Sequence, residues 1–251
     1  MENIIVTLNS FDTKEVMKKG QGHFLPLIAQ SGAKGAEIRK ELFADERFSL
    51  KTLREEIEEL NLFSIYSAPV ELYDQLGNIN EEAIKLIVSE AVKLGATIVK
   101  FSLGHYDPQS SSTDHLKELL TTLQIEKHQL VVTIENDQTE HGGNLKRIQH
   151  FFKETMKREV PVKMTFDVGN WMYTGEDVWL ATKALSEYVV YLHFKHVEHH
   201  DNKLVTLSLP EQDSSGWRKL IQSFPNDILR AIEFPLQDQE VSRYVSLLAN
   251  V

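Results

Sequence analysis

The feature that most constrains the fold is a regular alternation of short strand-like runs with longer segments of helical period. Eight runs rich in β-branched and aromatic residues lie at 4–8, 35–39, 62–68, 97–103, 130–136, 162–168, 189–195 and 229–234. Strict strand–helix alternation predicts parallel strands joined by right-handed crossovers. Because the chain has 251 residues, we predict an α/β fold, a closed (β/α)8 TIM barrel that forms a single domain over residues 1–251.

The segments between these runs carry helix signals. The clearest spans 80–94, where Asn80 is an N-cap candidate, two glutamates occupy the first turn and Gly95 follows the end. Three further helices are predicted from about Thr113, over 145–152 and after Thr174, which with Asp177 resembles a capping box. The alternative is an open, doubly wound sheet. A dinucleotide-binding version of it has no support, because no GxGxxG motif follows the first strand.

Composition narrows the function classes. The absence of cysteine excludes disulfides, thiolate metal sites and a cysteine nucleophile. A net charge of −10 disfavours nucleic acid and anionic membranes as partners, because both require a basic surface. The first residues have no basic segment before a long apolar run, and no apolar run is long enough to cross a bilayer. We therefore expect a cytoplasmic protein with a small-molecule substrate.

Polar residues near the C-terminal ends of the last four predicted strands indicate the chemistry. They alternate with apolar residues, so the apolar face meets the helices and the polar side chains face the barrel mouth. They are Glu135, Asp167, His193 and Glu233. Three carboxylates buried together are costly unless a cation compensates them. Each residue alone could instead be a helix cap or an ion-pair partner, but their matching phase on consecutive strands favours one divalent metal ion, Mn²⁺, Mg²⁺, Co²⁺ or Zn²⁺.

These residues lie in short motifs that carry a family resemblance. The motifs are GAEIR (35–39), SAPVELY (67–73), TIENDQ (133–138), FDVGNW (166–171), LHFKHV (192–197) and AIEFPL (231–236). Through these motifs and their order along the sequence, the chain resembles the xylose isomerase-like TIM barrel superfamily over nearly its whole length. It is most similar to the sugar phosphate isomerase/epimerase family, with D-tagatose 3-epimerase-like enzymes, inosose dehydratases and endonuclease IV. The resemblance implies the same four metal ligands, with Mn²⁺ as the preferred ion.

The resemblance also implies a reaction, which is proton transfer beside a carbonyl through a metal-stabilised enediolate. Glu135 and Glu233 would be the acid and base on the two faces of the intermediate. In many such epimerases a histidine lies three residues after the metal aspartate. Here that residue is Asn170, whose amide can form hydrogen bonds but cannot titrate near neutral pH. If water leaves instead, the same site is a dehydratase or lyase for an inosose, dehydroshikimate or a keto-sugar.

Five further residues are candidates for binding substrate: Glu37, Lys100, His105, Asn170 and Lys195. Lys195 lies two residues after His193 and should share its face, where it either binds an oxyanion or pairs with a neighbouring carboxylate. Glu37 likewise shares a face with Arg39, so a core ion pair is the alternative. The histidine-rich segment 196–203 is predicted to be a solvated loop.

Two other function classes are weaker. A DNA-repair endonuclease like endonuclease IV needs a multi-zinc cluster and a basic cleft, whereas this chain has one clear ligand set and a charge of −10. A non-catalytic sugar-binding protein would tolerate the loss of an acid/base glutamate, yet both are present. We therefore predict a metal-dependent sugar or sugar-phosphate isomerase/epimerase of carbohydrate metabolism. A homodimer is compatible with the sequence.

Overall fold

The centre of the molecule is a closed barrel of eight parallel strands. The structure is a computed structural model that describes residues 3–44, 49–212 and 216–251. The barrel strands are β1 (Ile4–Thr7), β2 (Gly35–Arg39), β3 (Phe63–Tyr73), β4 (Ile98–Gly104), β5 (Val131–Glu135), β6 (Val162–Asp167), β7 (Val189–Phe194) and β10 (Leu229–Ile232). Ile5 of β1 is paired with Gly35 on one side and with Ala231 on the other, which closes the barrel. The predicted (β/α)8 TIM barrel is confirmed.

Helices surround the barrel and bury their apolar faces against it. They are α1 (Thr13–Lys19), α2 (Leu25–Gln30), α3 (Leu50–Glu59), α4 (Glu81–Leu94), α5 (Thr113–Thr122), α6 (Leu145–Lys157), α7 (Asn170–Tyr173), α8 (Val178–Leu185), α9 (Trp217–Ile221) and α10 (Val241–Ala249). On α4 the buried residues Ile84, Ile87, Val88 and Ala91 repeat at helical spacing. Within the described ranges, none of the helices has the length and apolar character needed to cross a membrane.

The sequence signals predicted the end of one helix correctly and the start of another wrongly. The helix predicted over 80–94 is confirmed as α4. It ends at Leu94 because Gly95 adopts a φ of 73°, a left-handed conformation that favours glycine. The capping box predicted at Thr174 is wrong. Asp177 is the N-cap of α8 and accepts the backbone N–H groups of residues 179 and 180 at 2.7 and 2.9 Å. Thr174 is instead the C-cap of α7, and its hydroxyl donates to Trp171 O at 3.2 Å.

The interior of the barrel changes from apolar to charged along its axis. A small apolar cluster fills the N-terminal half; its buried members are Ile5, Ile65, Ile98, Tyr191 and Ala231. Above it, the Thr165 hydroxyl donates to the Thr133 hydroxyl at 2.8 Å. The next inward-facing side chains on these strands are carboxylates, Glu135 and Asp167. The alternation of faces therefore brings charge to the C-terminal end, where active sites of these barrels lie.

A β-hairpin follows β7 directly. Its strands are β8 (His196–His200) and β9 (Lys203–Leu207), paired antiparallel. The solvated loop predicted for this segment is therefore wrong. The two residues between the strands, Asp201 and Asn202, have φ values of 48° and 62°, as in the tight turns that join antiparallel strands. Val197 is buried, whereas His199 and His200 are exposed.

Candidate active site

The four predicted metal ligands converge at the C-terminal end of the barrel. Asp167 and His193 are directly paired on β6 and β7, and Glu135 and Glu233 come from the strands on either side. The Nδ1 atom of His193 lies 3.1 Å from Oε1 of Glu135 and 3.2 Å from Oε2 of Glu233. It lies 3.9 Å from Oδ2 of Asp167. One ligand atom from each residue lies within 4.8 Å of the others, so the four can share one ion.

The hydrogen bonding of this cluster is incomplete in a way that fits a cation. Within the described part of the chain, Oε1 of Glu135 and Nδ1 of His193 are buried and have no hydrogen-bond partner, and Oδ2 of Asp167 is paired with the Lys195 ammonium at 2.8 Å. A buried polar atom without a partner costs about 1–3 kcal/mol. These are the atoms that face one another at the centre of the cluster. Three carboxylates and one imidazole suit a divalent cation that would satisfy all of them.

The second ring nitrogen of His193, Nε2, is bound by Glu37. Its Nε2–H donates to Oε2 of Glu37 at 2.9 Å, and the Tyr191 hydroxyl donates to the same oxygen at 2.9 Å. Burial would raise the pKa of Glu37, but the charges of Lys100 and His193 lower it well below its usual value. An ionised carboxylate on Nε2 orients the ring and leaves Nδ1 to the cluster, as expected behind a metal-binding histidine.

Lys100 connects Glu37 to Glu135 of the cluster. Its side chain is only 2% exposed, and its Nζ lies 3.0 Å from Oε1 of Glu37 and 2.9 Å from Oε2 of Glu135. Arg39 continues the charge network, with Nη1 2.9 Å from Oε1 of Glu37 and 3.3 Å from Oε1 of Glu233. The interior thus holds alternating charges, and each buried charge has a partner of opposite sign.

Asp167 is positioned by the start of α7. Its Oδ1 accepts the backbone N–H groups of Gly169 and Asn170, both at 2.8 Å, and this leaves Oδ2 for the cluster. Burial raises the pKa of Asp167 to about 7, although the ammonium of Lys195 opposes the shift. A Cβ atom at Gly169 would lie 2.5 Å from Cγ of Lys195, so a glycine is needed where this lysine crosses the backbone.

A cavity of about 410 Å³ opens above the cluster. Its walls include Arg39, Glu135, Gln138, Asn170, Lys195 and Glu233. Lys195, the residue directly after β7, extends into it and has its Nζ 2.8 Å from Oδ2 of Asp167 and 2.9 Å from Oε2 of Glu233. Asn170 is held in the wall, because its Nδ2 donates to Asn136 O at 2.8 Å and its Oδ1 accepts from Gln138 at 3.0 Å.

The five predicted substrate-binding residues therefore lie in three places. Asn170 and Lys195 line the cavity. Glu37 and Lys100 lie below the cluster, where they contact His193 and Glu135. His105 lies elsewhere on the rim, beside Glu71 and His141.

Comparison with known proteins identifies the family. Residues 25–224 match the family described as xylose isomerase-like TIM barrel. The chain belongs to this family. The resemblance inferred from the motifs is thereby confirmed. No curated protein matches the sequence.

Solved structures of other proteins superimpose over nearly the whole chain. The IolI protein with a bound zinc atom has a TM-score of 0.70 at 14% identity, with 98% of this chain and 96% of that chain covered. An L-ribulose 3-epimerase has a TM-score of 0.64 at 11% identity, with 99% and 91% covered. The probable 3-DHS dehydratase AsbF of Bacillus anthracis has a TM-score of 0.63 at 12% identity, with 99% and 98% covered. At these identities the comparison shows the shared fold.

Some residues of this candidate site were missed in the sequence. Asn136 clamps the ends of β5 and β6, since its Oδ1 accepts the N–H of Asp167 at 2.8 Å and its Nδ2 donates to the carbonyl of Asp167 at 2.9 Å. Asn9 donates to Oε1 of Glu233 at 3.3 Å. Gln138 and Thr206 line the cavity. Asn136 could have been noticed because its side-chain amide directly follows Glu135. Strand alternation, however, predicts that the side chain of Asn136 points away from the barrel interior, opposite to that of Glu135.

Proposed function

We propose that this protein is a divalent-metal-dependent isomerase or epimerase of a small sugar or sugar phosphate, and that it moves a proton beside a carbonyl group. One observation carries the proposal. Two glutamates, one aspartate and one histidine converge below a polar cavity, and within the described residues two of their facing atoms, Oε1 of Glu135 and Nδ1 of His193, are buried without a hydrogen-bond partner. A carbohydrate has carbonyl and hydroxyl oxygens that match such a polar, concave site.

The two glutamates are suited to be acid and base. Lys100 anchors Oε2 of Glu135 and leaves its Oε1 free of hydrogen bonds within the described ranges. Burial raises the pKa of Glu135, but Lys100 and His193 lower it below its usual value. Lys195 and His193 likewise outweigh burial and lower the pKa of Glu233 well below its usual value. Both carboxylates are therefore ionised bases, and a base that has taken a proton can return it as an acid.

The strand order separates these two groups. In the barrel, β6 and β7 lie between β5, which carries Glu135, and β10, which precedes Glu233. A substrate bound in the cavity above them would meet one carboxylate from each side, as inversion at a carbon atom requires. Lys195 and Asn170 in the cavity wall would bind its oxygens and fix its orientation.

The charge of the site supports a substrate that becomes anionic. The interior contains four carboxylates, Glu37, Glu135, Asp167 and Glu233, against three cationic side chains, Arg39, Lys100 and Lys195. A divalent cation, with Mn²⁺ proposed first and Mg²⁺, Co²⁺ or Zn²⁺ as alternatives, would make the balance positive and stabilise negative charge on a substrate oxygen. The cation-loaded site therefore favours a developing oxyanion or a phosphorylated sugar.

The decisive experiment is product analysis of the Mn²⁺-loaded protein in D₂O with ketoses, ketose phosphates, inososes and dehydroshikimate. An isomerase or epimerase retains the mass of the substrate apart from deuterium taken up at carbon. The Glu135→Gln variant should show neither conversion nor exchange. If no member of the panel is converted or exchanged by the wild-type protein, the proposal is wrong.

Dehydration is the second candidate function. Asn170 replaces the histidine that many epimerases of this type carry, and one structural neighbour is a probable 3-DHS dehydratase. A non-titrating amide removes one possible acid/base group near the substrate. Loss of water from dehydroshikimate or an inosose in the same assay would favour this function over isomerisation.

A further inference from the structure

A second group of potential metal ligands lies on the barrel rim, apart from the four residues described above. It consists of Glu71 near the end of β3, His105 directly after β4 and His141 in the loop between β5 and α6. The Nε2 atom of His141 lies 3.1 Å from Oε1 of Glu71, and Nε2 of His105 lies 3.9 Å from Oε2 of the same carboxylate. We refer to these three residues as the rim cluster.

The rim cluster depends on a close approach of β3 and β4. Gly104 has a φ of 69°, and a Cβ atom there would lie 2.3 Å from Tyr73 O and 2.6 Å from Cβ of Glu71. Glycine is therefore required for the end of β4 to pass against Glu71. The backbone N–H of His105 then donates to Tyr73 O at 3.0 Å, so the fold itself holds His105 beside the carboxylate.

The third ligand is held by a tight turn. The two residues after His141 are glycines, and a Cβ atom at Gly142 would lie 2.2 Å from Oδ2 of Asp137. A Cβ atom at Gly143 would lie 2.4 Å from Asp137 O. The Asp137 carboxylate closes the turn by accepting the N–H of Thr139 at 2.8 Å. This packing leaves the imidazole of His141 over Glu71, stacked on that of His105 with ring centroids 3.7 Å apart.

We propose that Glu71, His105 and His141 form a second metal site, for Zn²⁺ or a cation of similar preference. Two imidazole nitrogens and one carboxylate are a known three-residue zinc set that leaves a fourth position for water or a ligand. The side chains are 34%, 33% and 24% exposed, so an ion and a water molecule can reach them. The carboxylate lies next to both imidazoles and so favours a cation over an anion.

The geometry requires only side-chain adjustment. With zinc–ligand bonds of about 2.0–2.2 Å, ligand atoms around a tetrahedral zinc lie roughly 3.3 Å apart. The closest pair already lies at 3.1 Å, and all three ligand atoms lie within 4.8 Å of one another. Rotation of the stacked imidazoles about their side-chain bonds would bring both nitrogens to the carboxylate.

The rim cluster is distinct from the first site. The strand register pairs Glu71 with Ser102 and Ser102 with Glu135. The Cα atoms of the two glutamates are therefore two strand spacings apart, about 10 Å. No residue belongs to both groups of ligands, so the two sites can be removed separately.

The test is zinc stoichiometry of the full chain, measured by equilibrium dialysis with elemental analysis. We expect two zinc ions per wild-type chain and one per chain in the double variant His105→Asn/His141→Asn. His128→Asn, at an exposed histidine outside both clusters, is the matched control and should retain two. An unchanged stoichiometry in the double variant would overturn the proposal.

A complementary pair of variants tests the rim cluster after the first metal site has been weakened. Asp167→Asn should weaken the first site and retain one zinc ion at the rim, and addition of His141→Asn should remove that ion. Substitution of Co²⁺ for zinc in Asp167→Asn should give visible absorption bands that disappear with His141→Asn. If Asp167→Asn binds no zinc, or if its cobalt bands survive the loss of His141, the rim cluster does not bind metal. Glu71→Gln replaces the double variant if that protein does not fold.

Discussion

Replacement of Lys100 by methionine should destabilise the metal-free protein far more than the metal-loaded protein. The Lys100 ammonium lies within 3.0 Å of two carboxylates, Glu37 and Glu135, in the barrel interior. Methionine preserves much of the volume of the side chain but removes its charge. The two carboxylates then face His193 and Arg39 with one cation fewer.

The magnitude follows from the burial of these groups. Removing one partner of a buried ion pair costs about 3–5 kcal/mol, because the other charge remains desolvated. In a chain of this size, 1 kcal/mol lowers Tm by about 2–4 °C, so the metal-free variant should melt roughly 6–20 °C below wild type. A bound divalent cation would supply the missing charge beside Glu135, and Mn²⁺ should therefore raise Tm more in the variant than in wild type.

The assay is thermal unfolding followed by circular dichroism, first with a chelator and then with a fixed excess of Mn²⁺. Lys153→Met is the matched control, because Lys153 is exposed on α6 and lysine and methionine have similar helix propensities. Its Tm should change by less than about 2 °C. A loss of less than about 1 kcal/mol in Lys100→Met, or an equal effect of Mn²⁺ on variant and wild type, would refute this account of the buried charges.

Three further predictions follow from the site. Glu37→Gln should lower the affinity for Mn²⁺ by about 10–100-fold, because it weakens the hydrogen bond that orients His193. Calorimetric titration measures the affinity, and an unchanged value would contradict this role of Glu37. The pKa of Asp167 is raised to about 7 and that of His193 well above its usual value, so a metal must displace protons. Affinity should therefore fall about tenfold per pH unit for each proton released below pH 7, whereas a pH-independent affinity between pH 6 and 8 would exclude this competition. Glu135→Gln should lower turnover by at least about 10²–10⁴-fold while the circular dichroism spectrum stays that of wild type; turnover within a few-fold of wild type would remove Glu135 from proton transfer.

The alternation of faces within strands made much of this site predictable. Glu135 and Asp167 lie in strands, and His193 keeps the same phase on β7, so the period of two was sufficient to place them inside the barrel. The same rule placed Glu37 and Lys100 inside, but it contains no information about depth. Depth depends on the stagger between strands, and the register pairs Lys100 with Thr133, two residues below Glu135.

Residues beyond the strand ends were harder to predict, because the period of two no longer applies there. Asn136 turns back to Asp167 through hydrogen bonds at the end of β5, and His141 reaches Glu71 only because of the turn at the two glycines after it. The hairpin after β7 did have a sequence signal, the Asp201–Asn202 dipeptide, whose residue types tolerate positive φ. The polarity of the surrounding histidines outweighed that signal in the prediction of a loop.

The central claim is that one cation binds Glu135, Asp167, His193 and Glu233 together. A crystal structure of the full chain grown with Mn²⁺, with anomalous difference density recorded above the manganese absorption edge, tests it most directly. We predict a peak about 2.0–2.3 Å from an oxygen of each carboxylate and from Nδ1 of His193, with Nε2 still donating to Glu37. A map with no peak among these four side chains, or a manganese ion on Nε2, would contradict it.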